Sequence, residues 1–341
     1  MKDLKGFMKG VDLGGWLSQG SYDREHLDSF IGENDIKTIA SWGLDHVRIP
    51  VDYNVFEEDD GTLKNDGIEL LDKALEWCEK YGLNIVLDVH KTFGFSFYSG
   101  YGEVGFFDSV EYQERFYRLW ERLSQRYGKY PERIAFELLN EVTDKAYSSR
   151  WNGIAKKAIT MIRRYAPDTL IFIGGYWNNS VDALPDLDAP YDDKTVYNFH
   201  CYDPFLFTHQ AAYWVDGMPA DFRIGYPGDI KEYREKTVEL GLAQMQDYAD
   251  VPDKGFDSEY FESRFANAVK LCEERGCALY CGEYGVIDRA APEQILNWYK
   301  DINAAFTKFG IGRCTWNYKK MDFGLTDERL SGVIGELVKY L

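Results

Sequence analysis

Two segments of the sequence have the composition of buried β-strands, and each carries a glutamate near its carboxyl end. The segment 134–141 ends in Asn140 and Glu141, and the segment 278–285 contains Glu283. In a parallel α/β sheet the carboxyl ends of the strands meet at one edge, so residues placed there come together in space. Two carboxyl groups at such an edge can cleave a glycosidic bond, since one protonates the leaving oxygen and the other acts at the sugar carbon. For either glutamate alone, a salt bridge to a nearby Lys or Arg is the better interpretation.

Polar or aromatic side chains also end most of the other predicted strands. Arg48 lies near the end of strand two, His90 at the end of strand three, His200 and Tyr202 at the end of strand six, and Trp316 near the end of strand eight. Taken singly, each has an ordinary structural explanation, such as an ion pair, a hydrogen-bonded core histidine or packing. Burying all of them at one edge costs free energy unless they bond one another. Their joint position therefore indicates a reaction centre.

Strands and helices alternate along the whole chain, and this pattern predicts the scaffold that holds these groups. Helical spacing, caps and breakers predict helices at about 34–41, 68–81, 111–127 and 149–165, then near Ser258 and near Leu330, with Asn34 as an N-cap and Pro50 ending strand two. Eight strands alternating with helices indicate a (β/α)8 barrel. The predicted strands lie at about 10–13, 46–50, 84–90, 134–141, 170–174, 196–202, 278–285 and 312–318.

The connection between Tyr202 and the helix near Ser258 is too long for a simple loop. Structureless loops of that size are uncommon in compact domains, so we expect an inserted subdomain at about 203–262 on the active-site face. No repeat or linker divides the chain, so we expect a single catalytic domain over 1–341. The aromatic residues of the insertion would form its own small core or contact substrate; they are Phe205, Phe207, Tyr213, Trp214, Phe222 and Tyr226.

The composition narrows the class of partner. A net charge of −18 repels phosphate backbones and argues against nucleic acid, whereas a neutral oligo- or polysaccharide meets no such repulsion. Aromatic residues make up 16% of the chain, and their faces can stack on sugar rings. The six cysteines form no CxxC pair, which suggests neither a disulfide framework nor a zinc site. No signal peptide or membrane span is visible, so we expect a monomer without membrane contact, cytoplasmic unless a leader has been removed.

Six short motifs together resemble glycoside hydrolase family 5, the endoglucanase and β-mannanase family of retaining (β/α)8 barrels. They occur in the family's order, and the resemblance covers nearly the whole chain. The likeness is closest to bacterial endo-β-1,4-glucanases and lichenases, while Leu-Gly-Gly-Trp at 13–16 also resembles the exo-β-1,3-glucanase branch. The motifs are His-Val-Arg-Ile-Pro at 46–50, Leu-Asp-Val-His at 87–90, Leu-Leu-Asn-Glu at 138–141, Asn-Phe-His-Cys-Tyr at 198–202, Cys-Gly-Glu-Tyr-Gly at 281–285 and Thr-Trp-Asn-Tyr at 315–318.

The resemblance implies a retaining hydrolase of β-glucosidic linkages in cellulose or mixed-linkage β-1,3-1,4-glucan. Glu141 would be the general acid/base and Glu283 the nucleophile. Asn140 would bond the 2-hydroxyl of the sugar being cleaved. Tyr202 would bond the nucleophile, and His200 would lie beside the acid/base. The two-step cycle requires neither a cofactor nor a metal.

The remaining motif residues would hold the sugar and the nucleophile. By the same resemblance, Arg48 would keep the nucleophile ionised, His90 would contact the glycone sugar, and Trp316 would be the platform for that ring. Many family members have a second His after the first, whereas this chain has Lys91, which alters the expected contacts at the −1 and −2 sugars. Further sugar platforms, or rings that only pack on one another, are Trp16, Trp177 and the aromatic residues of the loop 91–102.

Several alternatives follow from the same residues. An exo-β-1,3-glucanase or a β-mannanase would use the same chemistry on another glycan. A non-catalytic glycan-binding barrel would normally have lost one of the two glutamates. A metal-dependent hydrolase with His90 and His200 as ligands would lack the HxH or HExxH spacing that holds the ion. The preferred glycan and the choice between endo and exo action stay open.

Overall fold

The computed structural model describes residues 1–242, 248, 251 and 255–341, and its eight strands close into one parallel barrel. The strands follow one another around the barrel in chain order, and β1 closes the circle by pairing with β8. This confirms the predicted (β/α)8 architecture. The strands are β1 Lys9–Asp12, β2 His46–Asp52, β3 Asn84–Lys91, β4 Ile134–Glu137, β5 Ile171–Gly174, β6 Thr195–Cys201, β7 Ala278–Tyr284 and β8 Gly312–Thr315.

Most of the longer helices begin and end at residues suited to those positions. Ser109 and Asp257 accept hydrogen bonds from the first turns of α4 and α9, and left-handed glycines such as Gly82 and Gly276 end α3 and α9. None of the helices formed by the described residues is long and apolar enough to cross a membrane. The helices are α1 Arg24–Ser29, α2 Glu33–Ser41, α3 Asp66–Tyr81, α4 Val110–Tyr127, α5 Ser148–Ile162, the one-turn α6 Tyr176–Asn179, α7 Phe205–Thr208, α8 Ile230–Glu239, α9 Ser258–Arg275, α10 Pro292–Phe309 and α11 Ile334–Leu337.

The inside of the barrel changes from apolar to polar along the strands. Because strand side chains alternate, residues two apart point the same way, and Val86 and Ala135 are followed on the inner face by Asp88 and Glu137. The charged groups therefore lie above an apolar floor, toward the carboxyl ends of the strands. That floor is formed by Leu4, Phe7, Val86, Ala135, Phe172, Val196, Ala278, Tyr280 and Cys314.

The prediction that Pro50 ends strand two is wrong, because β2 continues to Asp52. Proline lacks an N–H and is tolerated in a strand where that N–H has no partner. Pro50 lies in such a gap. The bond from Leu13 N to Arg48 O ends the ladder with β1, and the next bond on that side joins Asp52 N to Leu17 O.

Strands four and eight are shorter than predicted. β4 ends at Glu137 and β8 at Thr315, so Asn140, Glu141 and Trp316 lie just beyond regular strand. Backbone bonds from Leu138 N to Phe172 O and from Asn140 N to Val89 O still tie the first of these segments to its neighbours. The pattern of apolar residues is the same in a regular strand and in an irregular segment that keeps a few backbone hydrogen bonds to its neighbours, so it does not distinguish them.

Two helix starts also differ from the prediction. The second helix starts at Glu33, capped by Gly32 rather than Asn34, because the Asp35 carboxylate accepts the Gly32 N–H. The last helix starts at Ile334 rather than near Leu330, where the chain forms a single 3₁₀ turn. Each error is local and leaves the barrel topology unchanged.

The segment between β6 and α9 contains α7 and α8 and a small set of packed rings. Phe207 is fully buried against Tyr226, with ring centroids 5.2 Å apart, and Tyr233 lies 4.7 Å from Phe256. These rings form a local core, so Phe207 does not face a cleft. Part of the predicted insertion lies outside the described residues, namely 243–247, 249–250 and 252–254.

Candidate active site

The two glutamates predicted to carry the chemistry lie next to each other at the carboxyl end of the barrel. Glu283 belongs to β7 and is 5% exposed, and Glu141 follows β4 and is 7% exposed. One carboxylate oxygen of each lies within 4.8 Å of the other and of a ring nitrogen of His200. Residues far apart in the sequence therefore meet in one partly covered site.

A bulge in β7 directs Glu283 toward the barrel axis. The register between β6 and β7 shifts at this point, so that His200 pairs with Glu283. Gly282 allows the close approach, since a Cβ there would lie 2.8 Å from Asn198 Oδ1, the atom that accepts the Gly282 N–H. Bulges commonly re-aim side chains next to functional sites.

Arg48 is fully buried beneath the two glutamates and is surrounded by acids. Its guanidinium donates to Glu283 Oε1 at 2.8 Å, to Glu137 Oε2 at 2.7 Å and to Asp12 Oδ1 at 2.9 Å. A fourth acid, Asp88, lies 3.0 Å away. Burial alone would lower the pKa of Arg48, but these carboxylates outweigh it and raise that pKa well above its usual range. Arg48 is thus a permanent positive charge under Glu283.

The positive charge of Arg48 is shared among several acids. Burial raises the pKa of Asp12 and of Glu137 even though the nearby guanidinium opposes that effect. Glu137 accepts a further hydrogen bond from Asn198 Nδ2 at 2.8 Å. This network fixes the position of Arg48 and, through it, that of the Glu283 carboxylate.

Tyr202 and His200 contact the two glutamates from β6 and the residue that follows it. The Tyr202 hydroxyl donates to Glu283 Oε2 at 2.9 Å, and burial together with the Glu283 charge raises the pKa of Tyr202 well above its usual value. His200 Nδ1 lies 2.8 Å from Glu141 Oε1 and 3.6 Å from Glu283 Oε2. Burial lowers the pKa of His200 to about 4, so this imidazole is neutral at neutral pH.

Glu141 is held by neutral donors. Its backbone is left-handed, with φ 45°, and Asn178 Nδ2 donates to its Oε2 at 3.0 Å. Burial raises the pKa of Glu141, while the Asn178 hydrogen bond and the charges of His90 and Arg48 oppose that rise. A carboxyl group with a raised pKa can still carry a proton at a pH where an ordinary glutamate is charged.

The amide oxygen of Asn140 is hydrogen-bonded, whereas its amide nitrogen has no partner among the described residues. Its Oδ1 accepts from Arg48 Nη2 at 2.9 Å, which leaves Nδ2 directed elsewhere. Nδ2 is buried and has no hydrogen-bond partner among the described residues. Buried donors are normally bonded, so an unpaired one next to two carboxylates suits a polar ligand.

The rings of His90 and Trp316 are stacked on each other. Their rings are parallel within 3°, with centroids 5.8 Å apart. His90 Nδ1 lies 2.7 Å from Asp88 Oδ2, and Nε2 lies 3.1 Å from Gln19 Oε1. Burial would lower the pKa of His90, but the hydrogen bond and charge of Asp88 outweigh it and raise that pKa. Trp316 is 6% exposed, so only part of its ring is accessible.

The prediction that Trp16 binds substrate is wrong, because its ring is fully buried and its Nε1 donates to Leu27 O at 2.9 Å. A ring enclosed on both faces offers no surface to a sugar. Trp177, which follows β5, is 54% exposed and lies directly before Asn178 on the chain. Of these two candidate platforms, only Trp177 is accessible.

Lys91, which replaces the second histidine, is enclosed by tyrosines. Its amine donates to Tyr22 Oη at 3.0 Å and lies 5.0–5.4 Å from the ring centroids of Tyr22, Tyr53 and Tyr101. Tyr22 in turn donates to Asp52 at 2.6 Å. The amine is thus held by cation–π contacts and hydrogen bonds within the protein.

The rings of the loop 91–102 divide between packing and exposure. Phe95 is buried against Phe107, and Phe97 lies edge-on to His90 at 5.2 Å. Tyr98 and Tyr101 are each 43% exposed. The loop therefore has two accessible rings near the Lys91 cluster.

Asp12, Asp88 and Glu137 are not among the site residues predicted from the sequence. Each is a single acid between apolar neighbours in a buried strand, and this pattern could have found them, because such an acid needs a partner. Asn178 and Asn179 carry no comparable signal. Their sequence is typical of a polar loop, and their positions depend on a backbone conformation that the sequence does not specify.

By distance alone, Glu141, Glu283 and His200 could also ligate a metal ion. The surroundings oppose this, since Arg48 places a positive charge 2.8 Å from Glu283 and the imidazole already bonds Glu141. His90, the other ligand of the metal hypothesis, has both ring nitrogens bonded within the protein. The arrangement fits carboxylate chemistry better than metal chemistry.

Comparison with known proteins agrees with this chemistry. The family model described as cellulase, glycosyl hydrolase family 5, matches residues 18–322. Cellodextrinase A of Ruminococcus flavefaciens is 48% identical over 313 residues, covering 92% of this chain and 86% of that protein. Endoglucanase C of Acetivibrio thermocellus is 40% identical over 342 residues and covers 98% of each chain. The fold resembles that of endoglucanase Cel5A from Thermotoga maritima, with a TM-score of 0.77, 23% identity, and coverage of 99% of this chain and 97% of that one.

Proposed function

The chain belongs to glycosyl hydrolase family 5 and is a glycoside hydrolase, and we propose that it cleaves β-1,4-glucosidic linkages with retention of configuration. The observation that carries this proposal is the short separation of Glu141 and Glu283, with one oxygen of each within 4.8 Å. Retaining enzymes place the two carboxyl groups about 5–5.5 Å apart, whereas inverting enzymes leave about 6.5–9.5 Å for a water molecule.

In the first step Glu283 is the nucleophile and Glu141 the acid. A Glu283 oxygen forms a bond to the anomeric carbon, the glycosidic C–O bond breaks, and the proton of Glu141 passes to the leaving oxygen. The raised pKa of Glu141 supports its being protonated at the start of the cycle. The hydrogen bonds of Glu283 to Arg48 and Tyr202 support its being charged.

In the second step Glu141 is the base. Its carboxylate takes a proton from water, the water oxygen attacks the anomeric carbon, and the bond to Glu283 breaks. Asn140 Nδ2, which has no hydrogen-bond partner among the described residues, would bond the 2-hydroxyl of the same sugar, and Trp316 with His90 would support the glycone ring.

Cello-oligosaccharides and soluble β-1,4- or mixed-linkage glucans are the proposed substrates. Two relatives that each cover more than nine tenths of the chain are named cellodextrinase and endoglucanase. We further infer that residues 1–341 form one catalytic domain, with the segment 203–262 inserted on the catalytic face. A reducing-sugar screen over cello-oligosaccharides, carboxymethylcellulose, barley β-glucan, glucomannan and laminarin tests the choice of substrate.

Trapping of the covalent intermediate tests the mechanism. A dinitrophenyl 2-deoxy-2-fluoro-cellobioside slows the second step, so the intact protein should gain the mass of one fluoroglycosyl group. Peptide mapping should place that mass on Glu283, and Glu283→Gln should gain none. Labelling of another residue, or initial release of the α-anomer in proton NMR, would overturn the proposal.

A further inference from the structure

Three consecutive residues after β5 have an unusual backbone. Trp177, Asn178 and Asn179 all have positive φ, at 50°, 57° and 57°. Left-handed conformations are uncommon for residues other than glycine, and a run of three persists only where surrounding contacts enforce it.

Backbone hydrogen bonds tie this turn to both neighbouring elements of the site. Trp177 N donates to Thr143 O at 3.3 Å and Asn178 N to Val142 O at 3.0 Å, in the segment that directly follows Glu141. On the other side, Ser180 forms a parallel bridge with His200. The turn therefore links the loop that carries Glu141 to the strand that carries His200.

The two asparagine side chains act on those same two residues. Asn178 Nδ2 donates to Glu141 Oε2 at 3.0 Å. Asn179 is fully buried, and its Nδ2 lies 3.3 Å from His200 Nε2. Gly174 makes room for this second amide, because a Cβ there would lie 2.2 Å from Asn179 Oδ1.

The orientation of the Asn179 amide, with Nδ2 toward His200 Nε2, indicates where the His200 proton lies. An amide nitrogen only donates, so Nε2 must accept, and a neutral imidazole then carries its proton on Nδ1. Nδ1 faces Glu141 Oε1 at 2.8 Å and therefore donates to it. Both oxygens of Glu141 thus accept from uncharged donors that the turn sets in place.

We propose that Asn178 and Asn179 are positioning residues for the acid/base: Asn178 through a direct hydrogen bond to Glu141, and Asn179 by fixing the Nδ1–H tautomer of His200. This inference rests on the proposed role of Glu141. Neutral donors stabilise the carboxylate needed in the second step and still leave the buried group protonatable for the first. The ionisable groups that also face or act on Glu141 are His90, Arg48, His200, Tyr202 and Glu283.

Substitutions of the two asparagines should shift the alkaline limb of the pH profile of kcat/KM in opposite directions. Asn178→Ala removes a donor to the carboxylate, which raises the pKa of Glu141. The alkaline limb of kcat/KM on cello-oligosaccharides should move up by about 1 pH unit, the size expected for one charge-assisted hydrogen bond. Asn179→Asp places a carboxylate at Nε2 and favours the imidazolium, whose charge lowers the pKa of Glu141. The alkaline limb of kcat/KM should therefore move to lower pH in this variant.

A matched control and a direct measurement separate positioning from damage to the fold. Asn152, whose Nδ2 bonds Asp186 O at the surface, provides the control Asn152→Ala, which should leave both limbs in place. ¹⁵N NMR of histidine-labelled protein, assigned with His200→Gln, should show Nδ1–H at His200 in the unsubstituted protein and loss of that tautomer in Asn179→Asp. An Nε2–H tautomer in the unsubstituted protein overturns the Asn179 part of the proposal.

The outcomes distinguish this inference from the proposed function. If Glu141→Ala is as impaired on dinitrophenyl cellobioside as on cellotetraose and does not respond to azide, the role of Glu141 fails and the inference fails with it. If Glu141→Ala behaves as an acid/base variant while Asn178→Ala leaves the alkaline limb unmoved, the proposed function survives and the positioning role of Asn178 is wrong.

Discussion

Glu283 is part of β7, whereas Glu141 lies beyond the end of β4 on a left-handed residue. The carboxylate of Glu283 accepts from a buried guanidinium and a tyrosine hydroxyl, while that of Glu141 accepts from an amide and a neutral imidazole. A fixed cation favours a permanent negative charge, and neutral donors in a buried setting allow a proton to come and go. Two identical side chains within 4.8 Å can thus take different roles.

The largest effect that tests this comparison comes from Glu283→Gln. The amide keeps the shape of the side chain but cannot form the glycosyl-enzyme, so kcat/KM should fall by about 10⁴-fold or more on every substrate, whatever the leaving group. Parallel assays on cellotetraose and dinitrophenyl cellobioside, with melting curves to confirm folding, check this. Substantial activity that survives on the activated substrate would contradict the nucleophile role.

Glu141→Ala should produce a smaller loss that depends on the leaving group. Without the acid, cellotetraose cleavage should fall by about 10²–10⁴-fold, whereas dinitrophenolate leaves without a proton and its release should be largely retained. Azide should accelerate turnover, because it attacks the anomeric carbon of the glycosyl-enzyme without help from a base and displaces Glu283, and it should yield a β-glycosyl azide. Equal losses on both substrates, with no azide product, would mean that the two glutamates have been assigned the wrong roles.

The sequence predicts the structural setting of Glu283 more fully than that of Glu141. Glu283 lies in an apolar segment of strand length, so its position follows from barrel topology, and Arg48 is one of the strand-end groups that the same pattern identifies. The sequence also predicts Glu141, but the predicted strand is too long because Leu138 and Leu139 continue the apolar pattern past Glu137, where β4 ends. The left-handed turn at Asn178 depends on contacts with two other strands, and no local pattern specifies it.

The same reasoning explains the error at Trp16. Trp16 and Trp177 both follow predicted strands, and their sequences do not reveal which ring turns inward. Exposure is decided by tertiary packing: α1 covers the first ring, since Leu27 O accepts the Trp16 N–H, and the left-handed turn projects the second. The eight-strand barrel itself was predictable because it depends on many repeated local signals rather than on one contact.

Glu283 accepts from a cation and Glu141 from a neutral imidazole, and the pH dependence of the free energy of unfolding tests whether His200 is neutral. The pKa of His200 in the folded state is about 4, below its usual value near 6.5, so the unfolded chain takes up a proton first as the pH falls. Stability should therefore be lost between pH 6.5 and pH 4, and His200 should account for about 2 kcal/mol between pH 7 and pH 5.

Denaturant unfolding of the natural chain and of His200→Gln at pH 7 and pH 5 measures this contribution. The variant should show a smaller loss of stability at pH 5, while His209, whose pKa burial lowers to about 3, contributes equally to both proteins. An unchanged pH dependence in the variant would show that His200 is not held neutral, and the contrast between the two carboxylates would then disappear.

The smallest expected effect concerns Trp177, the exposed ring on the Glu141 side of the site. Trp316 lies against His90 and is almost covered, whereas Trp177 is 54% exposed and precedes the residue that bonds Glu141. If the Glu141 side receives the leaving-group sugars, Trp177→Ala should lower kcat/KM by about 3–10-fold on cellotetraose, in line with the loss of one stacking contact. It should leave kcat/KM on dinitrophenyl cellobioside nearly unchanged, because that substrate has no sugar there.

The matched variant Trp16→Ala should instead lower the melting temperature and change kcat/KM on both substrates alike, since its ring belongs to the core. If Trp177→Ala changes kcat/KM on the two substrates by the same factor, while Trp16→Ala selectively lowers kcat/KM on cellotetraose, Trp177 does not bind the leaving-group sugars.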